Sequence, residues 1–162
     1  MNPRVLIVDG DEDFRDRLAE LLERRGYRVS TAGSVDEFLQ DAGKEIDVIV
    51  AGQYVLNGHE SNLFNALDHI EPPPEVILML RSGSIRSAIA GMKKGVFDDI
   101  YVPFEISELE EKIRRAFNSR QKKALRFRGR SLKKRLENIF VAATFAEANV
   151  DLPEDQGKKP HK

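Results

Sequence analysis

The chain has 162 residues, enough for one domain of about 120 residues and an appendage. Hydrophobic residues make up 41% of the sequence and charged residues 33%, and no apolar run reaches the roughly 18 residues of a membrane helix. Cysteine is absent, which excludes disulfides, thiolate zinc sites and cysteine nucleophiles. The first residues turn acidic too soon for a signal peptide, so we expect a cytoplasmic protein.

Five short segments with the pattern of strands, three of them continuous apolar runs, alternate with amphipathic stretches along residues 1–118. The predicted strands are residues 4–8, 27–32, 47–51, 76–80 and 97–102. Helices are predicted after them, with starts near Asp11, Ser34, Leu63, Ile85 and Ile106. This alternation predicts an α/β fold, a doubly wound, five-stranded parallel sheet in a three-layer α/β/α arrangement.

The sequence pattern changes after Ser119, within a basic part of the chain. The net charge of −1 conceals 11 Lys or Arg between Arg114 and Arg135 with no Asp or Glu, which leaves −12 for the other residues. We expect residues 119–149 to form a basic and amphipathic helical extension that Gly129 interrupts. Residues 150–162 are polar and are expected to be disordered. Apolar residues of the extension recur at spacings of four and three, at Leu132, Leu136, Ile139, Ala143 and Ala146.

Four segments resemble the receiver domain of two-component response regulators. They are RVLIVDGDEDFR at the first strand, IDVIVAGQYVLNGHE at the third, PEVILMLRSGS at the fourth and AIAGMKKGVFDDIYVPFE at the fifth. The resemblance covers residues 1–118 and implies a flavodoxin-like sheet of order 2-1-3-4-5. It also implies phosphorelay chemistry, in which an aspartate that ends the third strand accepts a phosphoryl group with the help of Mg²⁺, a lysine and a hydroxyl.

The positions of this sequence that match the phosphorylation site lack most of its chemistry. They are Asp9 and Gly10 for the acidic pair, Gly52 for the phosphoacceptor, Leu80 for the hydroxyl, Asp99 for the aromatic switch and Val102 for the lysine. Glycine offers no nucleophile, and Asp47 cannot replace it because it precedes Gly52 by about 16 Å of strand, at about 3.3 Å per residue. We therefore expect a degenerate pseudo-receiver that is not an enzyme and has no metal site or cofactor.

Three hypotheses for function remain open. The first is a phosphorylation-independent signalling module that contacts a protein partner or forms a homodimer. The second is a nucleic-acid-binding regulator, although no recognition motif accompanies the basic residues. The third is a sensor that binds a small ligand in the crevice over Gly52, which the apolar Leu80 and Val102 would favour. Asp11, Glu12, His59 and Glu60 could bind a cation near that crevice, but helix capping and solvation explain them more simply.

Two surfaces are candidates for partner binding. In receiver domains the face of the fourth helix, fifth strand and fifth helix binds partners; here it would offer Arg86, Lys93, Lys94, Asp98, Asp99 and Tyr101. A solvated charged face is the alternative. The candidate basic patch for nucleic acid or an acidic partner consists of Arg120, Lys122, Lys123, Arg126, Arg128, Arg130, Lys133, Lys134 and Arg135. The alternative is that these residues form only the solvated face of a helix that continues from the fifth helix and packs Leu125 or Phe127 on the domain.

Overall fold

The computed structural model describes residues 2–40, 45–56, 60–81 and 95–147. Their strands form one parallel sheet in the order β2-β1-β3-β4-β5, which confirms the predicted sheet and its order. The strands are β1 (Arg4–Val8), β2 (Arg28–Ala32), β3 (Val48–Gly52), β4 (Glu75–Arg81) and β5 (Asp98–Val102). Each predicted strand is present, with ends that differ by at most one residue.

Helices connect the parallel strands, since each such pair needs a crossover. The helices are α1 (Glu12–Glu23), α2 (Val35–Gln40), α3 (Gln53–Leu56), α4 (Glu60–Leu67) and α5 (Ile106–Glu147). The helix predicted to begin near Ile85 falls within residues 82–94 and lies outside the described residues, as does the predicted tail, 150–162. Within the described ranges, no helix has both the length and the apolarity that a membrane crossing requires.

Local side-chain contacts explain where α1 and α2 begin. Asp11 is the N-cap of α1, and its carboxylate accepts a hydrogen bond of 3.0 Å from the backbone N–H of Phe14. Ser34 similarly accepts a bond of 3.1 Å from the N–H of Glu37. The turn after α1 contains Gly26 at φ 88°, a conformation that glycine adopts without strain.

Alternating side chains of the sheet enter two apolar layers. Ile49 and Ala51 of β3 pack with buried residues of α2 and α4, whereas Val48 and Val50 pack on the other face with buried residues of α1 and α5. All five residues of β3 are buried. The continuous apolar run of this strand follows from its position in the middle of a parallel sheet that is covered on both faces.

The long helix α5 differs from the prediction at Gly129. It runs without a break from Ile106 to Glu147, so the predicted interruption at Gly129 is wrong. A glycine inside a helix costs only about 1 kcal/mol, which good helix-forming neighbours offset. The first compact unit of the chain is Met1–Leu125, so it includes seven residues that we had assigned to the extension, and a second unit begins at Arg126.

Candidate functional site

A crevice of about 430 Å³ lies at the carboxyl ends of β1 and β3, beside the end of β4. In the order β2-β1-β3-β4-β5, the direction in which successive strands are added reverses between β1 and β3. Ligands of open α/β sheets bind at such a switch point. Loops that leave the strands supply most of its polar groups. Its lining consists of Asp9, Gly10, Asp11, Gly33, Ser34, Val35, Asp36, Tyr54, Val55 and Arg81. Three of its side chains are carboxylates and one is a guanidinium.

The carboxylate of Asp9 lies over Gly52, the last residue of β3. A Cβ atom built on Gly52 would lie 2.3 Å from Oδ2 of Asp9 and 3.0 Å from its Cγ. Ordinary contacts between such atoms are longer than about 3.4 Å. Asp9 therefore occupies the space into which any side chain at position 52 would first project.

Two hydrogen bonds hold the Asp9 loop. Oδ1 of Asp9 accepts a bond of 2.9 Å from the N–H of Asp11, and its carbonyl accepts one of 3.0 Å from Nη1 of Arg15. Asp11 in turn lies near Arg81, with 3.9 Å between Oδ2 and Nη2. Because Asp11 also caps α1, its carboxylate is already engaged on two sides. The acidic loop is thus anchored to the helix that follows it and to the end of β4.

Leu80 and Val102 are absent from the crevice lining. Leu80 lies inside β4, opposite Tyr101, and is fully buried in the apolar layer that faces α2 and α4. Val102 is half-buried and packs in the layer that faces α1 and α5. We had expected these two residues to make the crevice apolar, and this is wrong because they leave the sheet on opposite faces. Leu80 and Val102 therefore give no support to an apolar ligand in the crevice, whose apolar surface comes from other residues such as Val35, Tyr54 and Val55.

Sequence analysis missed two residues of this region, one at the end of β4 and one directly after β3. Arg81 follows Leu80 and contributes the guanidinium of the crevice, with its side chain 45% exposed. Its backbone N–H donates a 2.9 Å hydrogen bond to Oε1 of Gln53, a buried side chain that directly follows β3. The signal available in the sequence was that both residues follow apolar strand runs, where parallel strands bring side chains together.

No group of three or more His, Asp or Glu side chains within the described ranges is arranged to hold a metal ion. Asp11 and Glu12, the cation candidates at the start of α1, lie where they stabilise its positive end. Glu60 is the first residue of α4, and His59 lies outside the described residues.

The described residues include three members of the predicted partner face, Asp98, Asp99 and Tyr101. Asp98 is paired with Lys112 at 3.2 Å and with Arg115 at 3.4 Å, so its charge serves the packing of α5 on β5. Asp99 is half-buried, and Tyr101 is 47% exposed. The remaining members, Arg86, Lys93 and Lys94, lie outside the described residues.

At the opposite end of the sheet, a buried carboxylate binds two guanidiniums. Asp47 is 4% exposed and contacts Nε of Arg4 at 2.9 Å and Nη1 of Arg120 at 2.6 Å. Burial alone would raise the pKa of Asp47, but the hydrogen bonds from Arg4 and the charges of Arg4 and Arg120 outweigh it and hold that pKa below its ordinary value. Arg120 also donates to the carbonyl of Pro72 at 3.2 Å. We call these contacts the Asp47 cluster.

A second buried carboxylate lies beside this cluster. Glu75 accepts a hydrogen bond of 2.8 Å from the hydroxyl of Ser119 and is paired with Lys123 at 2.6 Å. Arg120 and Lys123 therefore neutralise the carboxylates of Asp47 and Glu75, which accounts for the extension of the first compact unit beyond residue 118. The rest of the predicted basic patch is exposed and consists of Lys122, Arg126, Arg128, Arg130, Lys133, Lys134 and Arg135.

Comparison with known proteins agrees with this architecture. The chain is 29% identical over 136 residues to the C4-dicarboxylate transport transcriptional regulatory protein DctD of Rhizobium meliloti, a match that covers 83% of this chain and 29% of DctD. It is 32% identical over 110 residues to the transcriptional activator protein PfeR of Pseudomonas aeruginosa, which covers 67% of this chain and 36% of PfeR. The chain thus spans about a third of the length of these relatives.

Solved structures resemble the chain over the same region. The FixJ-N crystal structure superposes with a TM-score of 0.65 at 28% identity, covering 73% of this chain and 95% of FixJ-N. The beryllofluoride-activated NtrC4 receiver domain dimer, a solution structure, gives 0.64 at 28% identity, covering 72% of this chain and 98% of that chain. The model of the response regulator receiver domain family matches residues 5–114. The chain belongs to the response regulator receiver domain family of two-component signal transduction.

Proposed function

We propose that this chain is a phosphorylation-independent receiver module of the cytoplasm that signals through protein contacts and is not an enzyme. The observation that carries the proposal is the contact between Asp9 and Gly52. Position 52 supplies no nucleophile, and the carboxylate of Asp9, from the loop that follows β1, occupies the space beside it. A phosphoryl group would approach Asp9 and Asp11 without the acceptor it needs and against their negative charge.

The proposal also implies that no phosphate-driven switch operates in this chain. A receiver changes state because phosphate binds one of two conformations better than the other. Here Leu80 is buried in the sheet and Val102 packs on its opposite face, so neither position offers phosphate a hydroxyl or a cation. We infer a module with one active conformation, whose partner is a second signalling protein or a second copy of the chain. The NtrC4 receiver with which the chain superposes is itself described as a dimer.

Acetyl phosphate with Mg²⁺ tests the proposal directly. After incubation, intact-mass spectrometry of the full chain should show no added phosphoryl group, while a receiver with a complete site is labelled in parallel. Beryllium fluoride should likewise leave the amide spectrum of the chain unchanged. A stable adduct would contradict the proposal, and the variants Asp9→Asn and Asp11→Asn would show which carboxylate had reacted.

Nucleic-acid binding is the second candidate, because seven basic side chains from Lys122 to Arg135 remain exposed. Arg120 and Lys123 no longer support it, since both are paired with buried carboxylates. Mobility shifts with a DNA duplex across a salt series decide between the two functions. Binding through phosphates weakens steeply as salt rises, with a slope set by the number of contacts. A flat response would remove this candidate.

A further inference from the structure

The oxygen atoms of the crevice do not fit a divalent metal ion. Two of the three positions that match the carboxylates of the phosphorylation site are Gly10 and Gly52, which leaves Asp9 and its neighbour Asp11. Oδ1 of Asp9 accepts a hydrogen bond from the N–H of Asp11, and Oδ1 of Asp11 accepts one from the N–H of Phe14. Both carboxylates are thus oriented by protein groups, whereas Mg²⁺ demands a nearly octahedral set of oxygen ligands.

A guanidinium at the end of β4 lies beside these carboxylates. Met79 pairs with Gly52 in the sheet and packs in the layer that faces α1 and α5. Because side chains alternate along a strand, Arg81 points to the same face as Met79. Nη2 of Arg81 lies 3.9 Å from Oδ2 of Asp11, and its backbone N–H donates the 2.9 Å bond to Gln53. Arg81 therefore reaches the N-cap of α1 from a strand end that is itself held by a buried side chain.

A second guanidinium supports the acidic loop from α1. Nη1 of Arg15 donates the 3.0 Å bond to the carbonyl of Asp9, and the Arg15 side chain is 16% exposed. The third carboxylate of the lining, Asp36, is exposed in the first turn of α2. The two arginines thus compensate most of the negative charge of the crevice. A fixed positive charge beside Asp11 also repels a doubly charged ion more strongly than a singly charged one.

We propose that the guanidinium of Arg81 is the resident cation of the crevice, where it takes the place of a divalent metal ion beside Asp11 and excludes one. The inference goes beyond the proposed function. A chain that has no nucleophile at position 52 could still bind Mg²⁺ through Asp9 and Asp11, and Arg81 is the residue that prevents this. Since the guanidinium belongs to the chain, the acidic loop keeps its conformation at any metal concentration.

Removing the guanidinium should make the full chain responsive to metal. The variant Arg81→Gln keeps a polar side chain and loses the charge. Thermal unfolding is followed in about 10 mM MgCl₂ and in NaCl of the same ionic strength, since a ligand of the native state raises the melting temperature. The melting temperature of the wild type should differ by less than about 1 °C between the two salts, whereas that of Arg81→Gln should be about 3 °C higher in MgCl₂.

Three further variants assign the effect to the crevice. Arg81→Lys keeps the positive charge and should remain as insensitive to Mg²⁺ as the wild type. Arg24→Gln is the matched control, because Arg24 is 71% exposed on α1, where it is paired with Glu20 outside the crevice lining. It should also show no response to Mg²⁺. The double variant Arg81→Gln, Asp11→Asn should lose the response of Arg81→Gln, because it lacks the carboxylate that the metal ion would bind.

Three results would overturn the inference. A rise in the melting temperature of the wild type equal to that of Arg81→Gln would show that a divalent ion binds despite the guanidinium. An Arg81→Gln variant that does not respond to Mg²⁺ would show that Arg81 is not what excludes the metal. A response that persists in the double variant would place the bound ion away from Asp11. Phosphoryl labelling tests position 52 and the metal response tests Arg81, so a failure of the proposed function and a failure of this inference are distinguishable.

Discussion

Replacing Gly52 by alanine should destabilise the receiver body, although glycine in a strand is normally the weaker residue. The new Cβ would lie 2.3 Å from Oδ2 of Asp9, so the carboxylate must recede by about 1 Å to restore an ordinary contact. Rotating the carboxylate weakens the bond that Oδ1 accepts from the N–H of Asp11. A hydrogen bond to a charged group is worth about 1.5–3 kcal/mol, and the lower figure applies at this solvated loop.

The gain from removing a glycine offsets part of this loss. Alanine restricts the unfolded chain and contributes about 0.4–1 kcal/mol where the backbone conformation suits it. The net effect of Gly52→Ala is then a loss of about 1 kcal/mol in the free energy of unfolding. In an Asp9→Ala background the obstruction is gone, and the same substitution should stabilise the protein by about 0.5 kcal/mol. The sign of the effect therefore depends on Asp9.

Urea unfolding of the four proteins in this double-mutant cycle measures the coupling, expected to be about 1.5 kcal/mol. Gly10→Ala is the matched control in the same crevice, since a Cβ at Gly10 would meet only a carbonyl oxygen at 3.9 Å. That variant should be neutral or slightly stabilising. If Gly52→Ala changes the free energy of unfolding equally with and without the Asp9 side chain, the carboxylate does not occupy the space at position 52. That result would refute the claim that Asp9 blocks this position.

Three further predictions concern charges and the long helix. Asp47→Ala should lower the free energy of unfolding in urea by about 3 kcal/mol, because it leaves the guanidinium of Arg120 buried without its partner. The control Glu45→Ala removes an exposed partner of Arg4 and should change that free energy by less than about 0.5 kcal/mol. Folding lowers the pKa of Asp47, so the stability that its carboxylate contributes is present above the unfolded pKa of about 3.9 and is lost as the pH falls through the lower folded pKa. The free energy of unfolding should therefore fall more steeply with acid for wild type than for Asp47→Asn. Parallel curves of unfolding free energy against pH would contradict this sign. Gly129→Ala should slow hydrogen exchange in the adjacent turns of α5 by a factor that corresponds to about 0.5–1 kcal/mol, whereas a real break at Gly129 would leave exchange unchanged.

The sheet could be predicted from sequence because its signals are local. The central strands β1, β3 and β4 are short apolar runs, and the starts of α1 and α2 carry the capping side chains Asp11 and Ser34. The match of several spaced motifs then determined the strand order. The break expected at Gly129 failed because one residue's propensity is a weak signal inside a helix of 42 residues.

The candidate site was less predictable, because its contacts join residues that are distant in the chain. The glycine at position 52 indicated that the nucleophile is missing, but no sequence pattern near Gly52 indicated that Asp9 fills the space beside it. The pairing of Arg120 with Asp47 joins residues separated by 73 positions, so a stretch rich in Lys and Arg could not reveal which charges are neutralised within the fold. Charge counts along a sequence measure composition, whereas the free charge of a surface depends on these long-range pairs.

The crevice and the Asp47 cluster lie at opposite ends of β3. This separation limits the influence that a ligand in the crevice could have on α5. The crevice lies beyond Gly52, whereas Asp47 precedes the strand and binds Arg120 of α5. A ligand shifts an equilibrium only by its different affinities for two states. The Asp47 cluster contains buried pairs that are costly to separate, and its groups do not line the crevice. Under the proposed function, the anchorage of α5 therefore depends on the folding of the receiver body and not on an event at the crevice, and the output of the module is set by the concentration of its partner.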